Sequence, residues 1–217
     1  MRLRKIKNIQ EKIKQFDGII VFDAKNHKGK WKEKFKNDNP IYLEIGTGKG
    51  NFIIKNATLN PNINFIGCEI SDTVIYKAAK KVEGLSNLLL INEDANNLLE
   101  IFSDKEIEKI FLNFSDPWPK SRHERRRLTS PDFLKMYKQA LVDNGIIEMK
   151  SDNRRLFEYS IIKFNEQKWD FLELNLNLHQ EDNKSTKEMI DQIVTTEYEE
   201  KFKALGEPIY YVKVRIK

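Results

Sequence analysis

Cysteine is nearly absent from this chain. Cys68 is the only one among 217 residues, so no internal disulfide and no cysteine cluster for zinc can form. The three histidines, His27, His123 and His179, are too scattered to suggest a metal site. No apolar run approaches the length of a membrane span. The opening stretch MRLRKIKNIQEKIKQF is basic but has no apolar segment or small-residue cleavage site, so no secretion signal is read there. Repeats and long linkers are also missing. These absences set the expectation of a cytoplasmic protein in a reducing compartment, with neither metal nor membrane among its partners. With 40% hydrophobic and 33% charged residues, the composition is that of a globular chain long enough for one α/β domain with a full core.

Charge is unevenly spread. Residues 1–39 carry 12 Lys/Arg against 5 Asp/Glu, while the rest has two more acids than bases. Positive charge gathers in this N-terminal arm and again in residues 120–127, a distribution that suits a polyanion. For the arm alone, a solvated basic surface explains the charge equally well, and its role stays open. The expected organisation is a basic arm over 1–39 and one domain over 40–217.

Within that domain, short apolar runs alternate with helical stretches. Strands are expected at 41–45, 64–70, 88–91, 109–114 and at IIEMK (146–150), with two later ones at 170–178 and 209–216. Helices are expected from Asn51, over 72–83 closed by Gly84, through Leu98 to Phe102, from a serine cap at Ser130-Pro131 to Gly145, over 154–166 and over 197–204. Repeated βα units imply a mostly parallel seven-stranded sheet with helices on both faces and an antiparallel strand at one edge. Ligands in such sheets bind beyond the carboxyl ends of the strands.

The stretch LEIGTGKGNF puts Gly46, Gly48 and Gly50 directly after the first of these strands. A phosphate-binding Walker loop would need glycine where Leu43 stands and Ser/Thr where Gly50 stands. A dinucleotide fingerprint would need glycine at Asn51. The pattern present, E-x-G-x-G-x-G, resembles the first motif of class I S-adenosylmethionine-dependent methyltransferases. A diphosphate disfavours an acid beside its loop, whereas a sulfonium and an amino group welcome Glu44. Glu69, at the end of the next strand, can accept from both ribose hydroxyls. Asp94 can accept from the adenine amino group, with the Ala95 amide facing a ring nitrogen.

The fourth strand leads into NFSDPWPKSRHERRR, residues 113–127. Pro117 and Pro119 bias Asp116 and Trp118 away from the helical region, so the turn is stiff. Trp118 either stacks on a base or packs. Arg122, Arg125, Arg126 and Arg127 crowd one segment, and arginine forks suit phosphate oxygens.

SDPWPKSRHERRR resembles the signature D-P-W-x-K-x-R-H-x-x-R-R of the bacterial tRNA (guanine-N7-)-methyltransferases. KSDN, with Asp152, and the T-x-Y-E element at Thr196–Glu199 fit the same family, and the likeness covers about residues 40–217. It implies a Rossmann-like class I methyltransferase fold, S-adenosylmethionine as methyl donor, and transfer to N7 of the guanosine at nucleotide 46 in the tRNA variable loop. It implies that Asp116 is catalytic and also beside the cofactor. Lys120, Asp152, Thr196, Glu197, Tyr198 and Glu199 would contact substrate, and Arg122, His123, Arg125, Arg126 and Arg127 would meet RNA. Either Asp116 or Asp152 would contact the guanine edge. The competing readings are a nicotinamide-dependent oxidoreductase and a non-catalytic RNA-binding module. A monomer and a homodimer are equally compatible with the sequence.

Overall fold

The computed structural model describes residues 6–178, Glu199 and residues 205–217. The expected helix over 197–204 therefore lies outside the described residues except at Glu199. The expected contacts of Thr196, Glu197 and Tyr198 lie outside them entirely. Among the described residues no helix is long and apolar enough to cross a membrane.

The apolar runs form the strands β1 (Ile20–Val21), β2 (Ile41–Ile45), β3 (Asn64–Cys68), β4 (Leu88–Ile91), β5 (Ile107–Asn113), β6 (Leu141–Ser151), β7 (Asp170–Asn175) and β8 (Tyr210–Arg215). They make one sheet in the order β1-β4-β3-β2-β5-β6-β8-β7. Strands β1 to β6 pair in parallel, and β8 runs antiparallel to both β6 and β7. The sheet thus has eight strands where seven were expected. The extra one, β1, comes from the N-terminal arm and is too short to show an alternation in sequence.

Each central strand is apolar on both sides because each side faces helices. On one face, Phe65, Leu88, Leu90 and Phe111 pack with Ile13 of α1 (Ile9–Lys14), with Phe52 and Ile53 of α3 (Asn51–Leu59) and with Ile75 and Ala78 of α4 (Asp72–Ala79). On the other, Leu43, Ile66, Ile110 and Met149 meet α2 (Trp31–Phe35), α5 (Leu98–Ile101), α6 (Pro131–Ala140) and α7 (Arg154–Glu166). The arm is thereby built into the fold: Ile13, Ile20, Val21 and Trp31 are buried, and the Trp31 indole donates to the Ile101 carbonyl at 3.0 Å.

Three local expectations shift. Helix α4 ends at Ala79, before Gly84. Helix α6 ends at Ala140, not at Gly145, because Leu141 already turns extended and pairs with Ile107. Between that pair and Lys109–Ile146, a single residue of β5 faces the bulge 142–145, and a side chain on Gly145 would lie 2.9 Å from the Val142 carbonyl oxygen. Ser130 does occupy the cap position before Pro131, but its hydroxyl donates to the Arg125 carbonyl and makes no capping bond. Asn153 is the residue that caps, accepting from the Leu156 amide at 2.9 Å to start α7.

Candidate active site

Strand order reverses at β2 and β5, which opens a crevice at their carboxyl ends. The turn after β2 is tied to its neighbour: the Gly46 and Thr47 amides donate to the Cys68 carbonyl at 2.8 and 3.0 Å. Thr47 lies over Gly67 of β3, where any side chain would come within 3.1 Å of it and 2.8 Å of Leu90. Gly67 was not singled out from sequence, yet it lets the loop sit this low. Gly46 and Gly48 take φ of +77° and +58°, with open space on the Cβ side of Gly46.

A cleft of about 740 Å³ follows. Of the expected site residues, Gly46, Glu69, Asp94, Ala95, Asp116, Arg125 and Arg126 line it. Trp118 and Phe133 add aromatic wall. Glu69 accepts from the Gly48 amide at 3.0 Å and the Ser71 amide at 2.9 Å. Burial lifts its carboxyl above the ordinary range, those amides oppose the rise, and the negative Asp116 across the cleft adds to it. Asp94 closes a short turn, accepting from the Asn96 amide at 2.9 Å. Asp116 is exposed to the cleft, and its carboxylate makes no hydrogen bond or ion pair among the described residues. Cys68 also borders the cleft, but burial pushes its thiol up to about 12, so it stays protonated.

Glu44 and Gly48 do not form the cleft wall. Gly48 acts through its amide on Glu69. Glu44 is 2% exposed and accepts from the Thr47 hydroxyl at 2.6 Å and from the Asn113 amide at 2.9 Å. Burial raises it to about 7, against the lowering effect of those two hydrogen bonds. Asn113, which borders the cleft and holds Glu44, was not anticipated.

The turn after β5 is strained at two bulky residues. Phe114 has φ +50° and Trp118 φ +40°, against the extended backbone expected before Pro119. Such conformations cost on the order of 1–3 kcal/mol each and persist where surrounding contacts hold them. Phe114 packs against Leu178, Ile209 and Tyr211 and donates its amide to the Lys150 carbonyl at 2.9 Å, whereas Trp118 is held by the basic run, coiled as a 3-10 turn over Ser121–Arg126. The Arg126 guanidinium lies 4.8 Å from the Trp118 ring centre, and His123 meets the ring edge-on at 5.6 Å. Arg127 donates through Nε and Nη2 to the Trp118 carbonyl. Lys120, Arg122 and Arg125 are exposed, with Arg125 3.7 Å from Asp132. Asp152 is half-buried just past β6 and does not line the cleft. Glu199 is fully buried and accepts from Lys150 at 2.8 Å, so its carboxylate is engaged within the protein.

A family model described as "Putative methyltransferase" matches residues 38–212. The chain is 46% identical over 217 residues to a tRNA (guanine-N(7)-)-methyltransferase of Geobacillus sp. (strain WCH70), covering 99% of this chain and 96% of the relative. The chain belongs to the tRNA (guanine-N(7)-)-methyltransferase family. Solved structures share the fold at much lower identity. An antibiotic-related methyltransferase aligns with TM-score 0.63 at 17% identity, covering 90% of this chain and 94% of that one. A SAM-dependent methyltransferase from Aquifex aeolicus aligns with TM-score 0.56 at 12% identity, covering 98% of this chain and all of that one.

For a member of this family, the chemistry of the cleft suits a cationic, hydroxyl-bearing cofactor. Its walls carry the carboxylates of Glu69, Glu93, Asp94 and Asp116, with the basic groups Arg125 and Arg126 also at the wall. A diphosphate would face repulsion from that set. A sulfonium, an amino group and a ribose diol would not.

Proposed function

We propose that the chain methylates N7 of the guanosine at nucleotide 46 in the tRNA variable loop, with S-adenosylmethionine as donor. The observation that carries this reading is Asp116. Its carboxylate faces a cleft of acids on one side and adjoins a run of arginines on the other. Glu69, Asp94 and the Ala95 amide would hold the cofactor, with Gly46 giving it close access to the backbone and Gly48 orienting Glu69. When bound, the cofactor supplies a methyl group already activated on a positive sulfur.

The residues of the chain have a modest task. Guanine N7 carries a free lone pair and no proton, so no base is required to begin the attack. What the protein contributes is alignment and charge placement. The guanine ring gains positive charge as the methyl arrives, and the protons on its Watson–Crick edge become more acidic. A carboxylate accepting from that edge binds the transition state more tightly than the ground state. Asp116 and Asp152 are the two carboxylates proposed for this, with Asp116 favoured because it already lines the cleft. Lys120, Arg122 and Arg125 present exposed charge for the RNA backbone.

The test is nucleoside mass spectrometry on tRNA incubated with protein and S-adenosylmethionine, with a transcript lacking guanosine 46 as the control. 7-Methylguanosine at that position is expected, and its absence would reject the proposal. Asp116→Asn keeps the shape and removes the charge. It should slow single-turnover methylation about a hundredfold, near 3 kcal/mol. tRNA affinity in a filter-binding titration should change far less, and an equal loss of both would make Asp116 an anchor.

A further inference from the structure

Arg127 differs from the other arginines of its run in what its guanidinium already holds. Nε and Nη2 both donate to the Trp118 carbonyl, at 3.3 and 3.1 Å. The same group lies 4.4 Å from the ring centre of Tyr159, on α7. The Tyr159 hydroxyl donates to the Glu124 carboxylate at 2.8 Å, which ties the middle of the arginine run to the same helix. Trp118 is the residue with φ +40°, two positions after Asp116. The Nε–Nη2 edge of the fork is thus committed to a carbonyl and its plane lies over a tyrosine, so turning that edge to grip a phosphate bidentately would cost the bond to Trp118.

We propose that Arg127 is a positioning residue: it braces the Asp116–Trp118 turn against α7 and is not a phosphate contact. This rests on the methyltransferase reading above and changes the role that the motif alone implies for Arg127. Arg122, whose side chain is exposed and makes no hydrogen bond or ion pair among the described residues, is the contrasting case.

Lysine preserves the charge of Arg127 but neither the fork nor the flat stacking face. Arg127→Lys should therefore lose about 10–100-fold in single-turnover methylation at saturating tRNA and cofactor, the scale of a misplaced reacting group. The salt slope of tRNA binding should stay as in the wild type for Arg127→Lys and for Arg127→Met. Arg122→Met, in contrast, should lower it by about 0.7–0.9. Tyr159→Leu, which removes the ring under Arg127 together with the hydroxyl bond to Glu124 while leaving every arginine in place, should repeat the rate loss with the slope unchanged. Acrylamide quenching of tryptophan fluorescence gives a readout that needs no methylation. Trp31 and Trp169 are buried, so increased quenching in Arg127→Lys reports a loosened Trp118. A wild-type rate and unaltered quenching in Arg127→Lys, with a slope lowered by about 0.7–0.9 in Arg127→Met, would make Arg127 an ordinary phosphate contact and overturn the proposal. Failure of the wild-type protein to methylate tRNA would defeat the proposed function instead, and the quenching comparison would still decide the brace.

Discussion

Glu44 shows what one buried carboxyl does to the pH response of a fold. Its folded value of about 7 stands above the ordinary 4.5, with burial as the main cause. Below pH 4.5 the group is protonated in both states and contributes nothing. Between the two values the unfolded chain is ionised while the folded one keeps its proton, so stability falls as pH rises. Above pH 7 both are ionised and the full penalty is present, about 3 kcal/mol at about 1.4 kcal/mol per pKa unit. Glu44→Gln removes the titration. Urea unfolding should show the mutant gaining on the wild type by about 2–3 kcal/mol from pH 5 to pH 8. A mutant-to-wild-type difference that stays constant with pH would mean that Glu44 is ionised and satisfied throughout.

At the scale of elements, β6 and its continuation show how far sequence reasoning reached. KSDN drew attention to Asp152, and the T-x-Y-E element to Glu199, but nothing linked them. The link is Lys150, which is 3% exposed and bonded to Glu199 across 49 positions of chain, with burial pulling the lysine below its usual value. Removing one partner of a buried pair leaves the other charge stranded, at about 3–5 kcal/mol, whereas replacing both can be neutral. Lys150→Met and Glu199→Leu should each destabilise by that order in denaturant unfolding, and the double substitution by far less than their sum. Additive losses would show that the two side chains are not coupled. The strands β2 to β6 and the acids at their ends were legible because apolar runs stopped by glycine or aspartate are local signals. The residues missed share the opposite property. Gly67, Asn113 and the bracing role of Arg127 are defined by what another segment brings against them, and no spacing within their own segment encodes that.

For the molecule as a whole, the arm is the part most changed by folding. Its charge marked it as a basic arm of open role, and the family match begins only at residue 38. Yet Trp31 stacks on Phe102 at 5.5 Å and is fully buried, and β1 pairs with β4 at the edge of the sheet. Glu106, just before β5, accepts from the Gly29, Trp31 and Ser103 amides, which pins the arm to the central strands. Without these residues, β4 would expose an unpaired hydrophobic edge and the two cores would lose Ile13, Ile20, Val21 and Trp31. Among the described residues of the arm, Lys28, Lys30, Lys32 and Lys34 are exposed. Two interventions then separate the roles. Deleting residues 1–39 should give an aggregating chain without a cooperative thermal transition, and Trp31→Ala alone should cost about 3–5 kcal/mol of stability. Changing these four lysines to glutamine should leave the melting temperature within a few degrees of the wild type, since surface changes of this kind usually cost under about 0.5 kcal/mol each. If the truncated chain instead melts cooperatively at the wild-type temperature, the arm is an accessory after all, and the packing of Trp31 and β1 contributes little to holding the sheet together.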